Sequence, residues 1–548
     1  MKKKYISLIV IFLLALFVRF YNLSNIPAGF HIDEASLGYN AYSLMMTGRD
    51  ASGKSFPLYI SMFGDNNPSG YYYLAILPIK LLGLTEFATR LPAALFGSIS
   101  VFAIYLLSYS IFNSKRIGLI SALLLALSPW GIVLARTSAE TLVASFFVII
   151  GFGLILLSLN KQNVPRLLIG VISLFLSFFI YPSPRVFVPL LFTTIVIILY
   201  PLWLKQKNKT YRNSFIISYL FLLVICLILV FAVSGGTARF NQVSIFNFPE
   251  TKLLQAEQIT EDGVKGAPIS VTHIYHNKLI NYSTTFISNY FQYFSGDYLF
   301  MKGGLPYLLN VPASGLVFLI EFPFILIGMY FLIRKKETIT LIPIIWLLLA
   351  PISAALTVDD IPNVRRSLLM FPAIELIAAY GLFMFLNKYS GIKKNVFIAV
   401  VALLFFYNSS YFLHQYFIHA PIHKTWYRDY GFKQMFNEVN APNEYSDKII
   451  ITKGTGGVFP LILFYNKYDP TTYQMGESHG DAAYTGFGKY FFAPQDCPSA
   501  NRDNRFPTGK KLIFVDRGDC PDDKRIAQKK TKYILREDGT KAFRIVYD

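Results

Sequence analysis

Long apolar runs separated by short polar breaks fill most of the chain, and only the C-terminal stretch changes to short alternating runs. A hydrocarbon core about 30 Å thick needs roughly 17–25 apolar residues per helix. By that measure the sequence predicts about eleven spans, at 5–21, 87–112, 117–135, 138–159, 167–181, 186–204, 213–234, 311–333, 339–356, 367–387 and 395–418. The first run follows Lys2-Lys3-Lys4, as a signal peptide would, but Arg19-Phe20-Tyr21 is a poor cleavage site and further spans follow, so we read it as retained. After residue 418, Lys448 to Thr452, Lys511 to Val515 and Phe543 to Val546 read as strands. Gly454, Gly456, Gly457, Pro470 and Gly476 mark turns between them. The expected architecture is an all-α polytopic membrane domain over 1–418 carrying a small α/β domain over 419–548.

Composition agrees with a lipid-embedded chain: 54% of residues are hydrophobic and 15% charged. The net charge of +19 would suggest nucleic acid until it is placed. With the N-terminus inside, the inner connections hold Lys2 to Lys4, Lys115, Arg116, Lys161, Arg166, Lys205, Lys207, Lys209, Arg212, Arg334 to Lys336, Lys388, Lys393 and Lys394. Those are 17 basic residues, against Arg136, Arg185, Arg365 and Arg366 in the short outer turns. The bias predicts a cytoplasmic-membrane protein with its N-terminus inside and its C-terminal domain outside, and no nucleic-acid partner. Segments 22–86, 235–310 and 419–548 are then outside and long enough to carry function. Cys497 and Cys520 both fall in the last of these, where an oxidising compartment permits a disulfide. Cys226 sits alone in a span, and no spacing suggests zinc.

The sharpest chemistry is His31-Ile32-Asp33-Glu34, just beyond the first span. From Ala35 to Met46 apolar residues recur at helical spacing, predicting a short helix that lies on the membrane with Asp33 at its start. Asp33 could simply cap that helix. Alternatively, an acidic pair at a membrane surface suits glycosyl transfer, in which an acceptor hydroxyl needs a carboxylate base and a phosphate leaving group needs positive charge or a metal.

Arg90, Arg136, Arg185, Arg365 and Arg366 lie at outer ends of spans, where the orientation bias disfavours them. A lipid-linked phosphate at that depth would account for at least one, because the guanidinium fork matches phosphate oxygens. Snorkelling, or pairing with Glu86, Glu140, Asp359 and Asp360, is the plainer explanation for any single one. Intramembrane Glu321 and Glu375 read as hydrogen-bonding groups between spans. The histidines His273 and His276 carry little signal; the aromatics Tyr71 to Tyr73 and Tyr290 to Phe294 could stack on a sugar or form an interfacial belt.

The string from Gly29 to Tyr39, followed by Thr47 to Asp50 and Phe56-Pro57-Leu58-Tyr59, resembles the first outer loop of the C-type (GT-C) membrane glycosyltransferases. It is most similar to glycosyltransferase family 39, the protein mannosyltransferases and aminoarabinose transferases. Phe63-Gly64-Asp65, Tyr71 to Tyr73, Ala88 to Pro92, Ser128-Pro129-Trp130, Arg136 with Glu140, and Tyr181 to Arg185 follow in the family's order. The resemblance implies transfer of a monosaccharide from a polyprenyl-phosphate donor to an extracytoplasmic protein, lipid or glycan. It implies Asp33 as base with Glu34 beside it, and Arg90, Arg136, Glu140, Arg185, Arg365 and Arg366 around the substrates. A divalent metal on His31, Asp33, Glu34 and Glu140 is compatible with it but not fixed by it. The rivals are a transporter or flippase of lipid-linked sugar, which needs no base, and a non-catalytic envelope-assembly protein.

Overall fold

The computed structural model describes residues 2–62, 65–204, 208–232, 237–335, 337–441, 446–454, 458–477, 486–509, 511–522 and 524–548. Phe63, Gly64, Lys205, Lys207, Lys336, Gly456 and Gly457, each used in the sequence reading, lie outside the described residues. In chain order the first helices are α1 Lys2–Phe20, α2 Ile32–Thr47, α3 Gly70–Leu82, α4 Glu86–Phe112, α5 Lys115–Leu127, α6 Pro129–Ala135, α7 Glu140–Lys161, α8 Val164–Ser177, α9 Pro184–Leu204 and α10 Lys209–Leu227. The chain divides into two compact units. One comprises Met1–Tyr21, Asp65–Gly70 and Ala93–Leu413; the other comprises Asn22–Gly64, Tyr71–Pro92 and His414–Asp548.

The first unit is helical and membrane-spanning. Among the described residues six helices are long and apolar enough to cross: Glu86–Phe112, Glu140–Leu159, Lys209–Phe231, Thr338–Ala355, Leu368–Asn387 and Gly391–His419. A seventh span forms if α5 and α6 are taken together, bent by 54°. Of the remaining expected spans, Ile6–Phe20, Val164–Ser177 and Pro184–Tyr200 are shorter apolar helices, and 311–333 is helical only from Leu319. The bend comes from Ser128-Pro129, since proline lacks the N–H and pushes the preceding residue out of the helical region. Ser128 accordingly sits at φ −56°, ψ 130°. The break leaves carbonyls without helical partners in a medium that offers no water. Arg19, fully buried, satisfies two of them by donating to Leu125 O at 3.1 Å and Ala126 O at 2.9 Å. Helices Phe322–Lys335 and Phe371–Asn387 cross closely at two glycines: a Cβ on Gly381 would stand 1.8 Å from Phe324 O, and one on Gly328 2.1 Å from Ile377 O.

The second unit holds a sheet built from β1 Lys448–Thr452, β2 Gly486–Phe487, β3 Tyr490–Ala493, β4 Leu512–Arg517, β5 Thr531–Leu535 and β6 Lys541–Tyr547. Their spatial order is β2-β3-β1-β4-β6-β5. Both neighbours of β1 run parallel to it, with Ile450 opposite Phe491 on one side and Phe514 on the other. The outer pairs are antiparallel. Ile450, Phe514, Val546 and Ile526 form a core cluster. Asp516 and Arg544 are cross-strand neighbours, fully buried, and joined at 2.7 Å. Cys497 and Cys520 form a disulfide, Cα to Cα 5.8 Å. Pro470, expected in a turn, instead opens a one-turn helix capped by Asp469, because proline tolerates the first helical position.

Helix α2 departs from expectation. It was expected to lie on a membrane surface, yet residues from Glu34 to Leu44 are largely buried within this unit. Gly38 permits this: a Cβ there would meet the Phe464 ring at 2.6 Å and Thr89 Oγ1 at 2.7 Å. Tyr39 donates to Tyr468 O, and Gln474 donates to Ser43, Thr47 and the Asp50 carbonyl. The apolar stripe of α2 is thus satisfied by protein.

Candidate active site

The N-terminus of α2 gathers the acidic pair. Asp33 is not the helix cap; His31 is, with extended backbone and Nδ1 accepting from Asp33 N at 3.2 Å. That bond occupies the Nδ1 lone pair, so the 3.4 Å approach of Asp33 Oδ2 to the same atom is no hydrogen bond to a neutral imidazole. Asp33 and Glu34 occupy the first turn, where the helix dipole favours negative charge.

The two carboxylates then part company. Glu34 is buried, and both of its oxygens accept from Arg90: Nε to Oε1 at 3.0 Å and Nη2 to Oε2 at 3.0 Å. Arg90, fully buried, spends its other donors on Leu23 O at 3.1 Å, Pro27 O at 3.4 Å and Gly29 O at 2.8 Å, and lies over the Phe30 ring. The fork expected at a phosphate is therefore filled by the chain itself, tying the 23–34 loop to the start of α4. Asp33 differs, its side chain keeping 32% of its surface exposed. Glu86, weighed as an arginine partner, accepts instead from Tyr465 Oη at 2.7 Å.

A residue not anticipated from sequence completes this corner. Asp429 follows the single turn Thr425–Arg428, and its Oδ2 accepts from Ile32 N at 2.9 Å. Burial raises its carboxyl to about 6; His31 and the Ile32 hydrogen bond pull it down, and Asp33 pushes it up. The same turn lays Arg428 O where a Cβ on Gly29 would be, 2.3 Å away, at a positive φ that suits glycine. Asp429 lies in Trp426-Tyr427-Arg428-Asp429-Tyr430-Gly431, far along the chain from the acidic pair, and no periodicity points to it.

The remaining candidates belong to the membrane unit. Arg136 is fully buried and donates to Val18 O at 2.7 Å, Arg19 O at 3.0 Å and Tyr21 O at 2.6 Å, closing the end of α1. Arg185, also buried, sends Nε and Nη2 to Phe178 O at 2.9 and 2.7 Å. Both are structural donors to carbonyls rather than open forks. Arg366 pairs with Asp359 at 2.9 Å and donates to Thr357 Oγ1 at 2.9 Å. Arg365 and Arg366 follow Asn363, whose Oδ1 accepts from both of their N–H groups at 2.9 and 3.0 Å. Arg365 is half-buried, and its carbonyl accepts from Thr141 Oγ1 at 2.8 Å, close in sequence to Glu140 at the start of α7.

One further reading changes. Tyr71 and Tyr72 are fully buried, Tyr71 donating to Thr89 O, so neither presents a ring to a sugar. His276 contacts Gln258 and Asp262 within its own segment. Glu321 and Glu375 are fully buried in the helical unit. Among the described residues no group of three or more His, Cys, Asp or Glu side chains could hold a metal ion, so His31, Asp33 and Glu34 form no such set.

Comparison with known proteins agrees with this architecture. Residues 66–234 match the model of the dolichyl-phosphate-mannose-protein mannosyltransferase family. The archaeal oligosaccharyltransferase AglB from Archaeoglobus fulgidus, solved with an inhibitory peptide and a dolichol-phosphate, superposes with a TM-score of 0.52 at 13% identity. That match covers 84% of this chain, which spans 63% of the AglB chain. ArnT from Cupriavidus metallidurans superposes nearly end to end, over 98% of this chain and 97% of its own. Its TM-score is 0.51 at 11% identity in the apo state, and 0.50 at 12% identity when bound to undecaprenyl phosphate. A search of curated protein sequences finds no match. The fold is that of the C-type membrane glycosyltransferases. The resemblance to family 39 covers residues 66–234, and the chain is an integral membrane protein.

Proposed function

We propose that the chain transfers a monosaccharide from a polyprenyl-phosphate donor to an acceptor hydroxyl on the outer face of a cytoplasmic membrane, with Asp33 as the general base. The observation that carries this is the division of labour in the acidic pair. Glu34 is locked to Arg90 and the helix is capped by His31, which leaves Asp33 the accessible carboxylate on a rigidly held turn. AglB was solved with a dolichol-phosphate and ArnT with undecaprenyl phosphate, which supports a polyprenyl-phosphate carrier here. We assign Glu34, Arg90 and Asp429 to positioning of that turn. We assign the phosphate to Arg365 and Arg366, and with them Glu140, whose neighbour Thr141 donates to the Arg365 carbonyl.

In the reaction the acceptor O–H gives its proton to an Asp33 oxygen as its oxygen attacks the anomeric carbon, and the carbon–oxygen bond to phosphate breaks with its electron pair remaining on the polyprenyl phosphate. Arginine charge at that phosphate stabilises the leaving group. The test is turnover of a polyprenyl-phosphate sugar by the purified protein and its Asp33→Asn variant. Loss of a positioned base costs about 10²–10⁴ in rate. Because Asp33 is not the cap, the variant should melt as the parent does. Near-parental turnover would remove Asp33 from the chemistry and leave the base to be sought at Glu34, Asp65 or Glu140, whereas a parent protein that binds the donor without turning it over would favour a transporter.

A further inference from the structure

Segment 269–292 of the membrane unit buries polar side chains and turns its large apolar ones outward, with Ser283, Thr284 and Ser288 exposed among them. In helix Lys278–Gln292 the buried positions are Asn281 and Asn289, at 7% and 8% exposure, while Leu279, Ile287 and Phe291 stand 77%, 50% and 65% exposed. The short helix before it, Ile269–Tyr275, repeats the pattern: Thr272 is its buried residue, and Ile269, Ile274 and Tyr275 face outward. A helix whose outer surface met water would show the opposite arrangement. The polar face has a definite use. Asn289 Nδ2 donates to Ala355 O at 3.2 Å and Thr357 O at 3.0 Å, capping carbonyls at the end of the spanning helix Thr338–Ala355. Tyr290 Oη donates to Leu348 O at 2.7 Å, inside that span. Since such carbonyls have no water to turn to at this depth, the helix runs beside the terminal part of a transmembrane segment, and its apolar face is continuous with that segment's lipid-facing side, where Leu348 is exposed.

We propose that residues 269–292 are a membrane-embedded element, with Leu279, Ile287 and Phe291 inserted among the acyl chains of one leaflet. The occupant of this face is bilayer lipid. The element crosses nothing: at 15 residues its longer helix is too short to span, and it enters as an interfacial helix braced against a span. This rests only on the membrane character of the chain and not on its chemistry.

The test uses full-length protein in phosphatidylcholine–phosphatidylglycerol vesicles free of polyprenyl phosphate. In a Cys226→Ser background, single Leu279→Cys, Ile287→Cys and Phe291→Cys variants carry a bimane label, with Lys532→Cys on the sheet as the aqueous reference. All three substitutions are at exposed side chains, so folding is spared. Brominated lipid should quench the three labels severalfold more than the reference, and aqueous iodide severalfold less. Iodide quenching equal to the reference would overturn the proposal. So would lipid quenching seen only after polyprenyl phosphate is added, which gives the face to the donor, or cross-linking between copies without lipid quenching, which gives it to a second chain.

Discussion

Glu34 and Arg90 meet through both arms of each group, carboxylate to guanidinium, at 3.0 Å twice, with neither side chain open to solvent. A bidentate pair of this kind is geometrically demanding. It joins the first turn of α2 to the first turns of α4, and the backbone carbonyls of Leu23, Pro27 and Gly29 complete the arginine's shell. The adjacent acids of the sequence therefore do different work: one fixes the loop and the other is displayed by it.

Breaking that pair should cost stability before it costs chemistry. Arg90→Ala leaves a buried carboxylate uncompensated, which typically costs about 3–5 kcal/mol. Arg90→Lys cannot restore the fork and should recover only part of the loss. Thermal melts in detergent check this; an Arg90→Ala protein that melts with the parent would show that the loop is held by other contacts.

Much of this was legible beforehand. Helical spans, the α/β character of the C-terminal region and the strands at 448–452, 512–517 and 541–547 follow from periodicity, which local backbone geometry obeys directly. Partners were less readable. An arginine at a helix end looks the same in sequence whether it meets a lipid phosphate, one of the readings open for Arg136, or donates to three carbonyls at the end of α1, as Arg136 does. Asp429 was invisible because its role depends on a contact with Ile32 that spans most of the chain. Helix α2 was misplaced onto a membrane because an apolar stripe reports only that something covers it; here Phe464 and its neighbours do.

Asp429 predicts a pH dependence. Its folded value is raised by burial to about 6 from the ordinary 3.8, so between those values the folded state binds more protons than the unfolded one. Stability then falls as pH rises from about 4 to about 6, and is flat beyond, with a total of about 3 kcal/mol at roughly 1.4 kcal/mol per unit. His31 and Asp33 face the same carboxyl and shift the window without reversing its sign. Asp429→Asn keeps an acceptor for Ile32 N–H and should abolish this slope, raising the melting temperature near pH 7. A variant whose melting temperature tracks the parent at every pH would show that Asp429 does not titrate in this range.

The Cys497–Cys520 bond closes a 23-residue separation beside the buried Asp516–Arg544 pair. Closing a loop of this size typically adds about 2–4 kcal/mol. Reduction, or the paired Cys497→Ser and Cys520→Ser variant, should lower the melting point of the sheet domain and leave the helical unit folded, as read by circular dichroism and limited proteolysis. A sheet domain that melts and resists protease as before would place its stability wholly in the core around Ile450 and Phe514.

Orientation is the remaining premise, and it can be checked without knowing any substrate. Lys335, at the end of helix Phe322–Lys335, belongs to the basic set assigned inside; Lys532 projects from β5 of the sheet domain, assigned outside. Both side chains are exposed enough to accept a label, and each makes a surface ion pair, to Glu337 and Glu438 respectively. Such pairs are worth about 0–1 kcal/mol, so cysteine at either place should leave the fold intact. In a Cys226→Ser background, a membrane-impermeant maleimide applied to intact cells should modify Lys532→Cys at once and Lys335→Cys only after the membrane is opened. The basic bias of the inner connections motivates that order, and a disulfide in the sheet domain fits an oxidising outer compartment. The reverse labelling would put Asp33 and the sheet on the cytoplasmic side, and transfer at the outer face would fall with it.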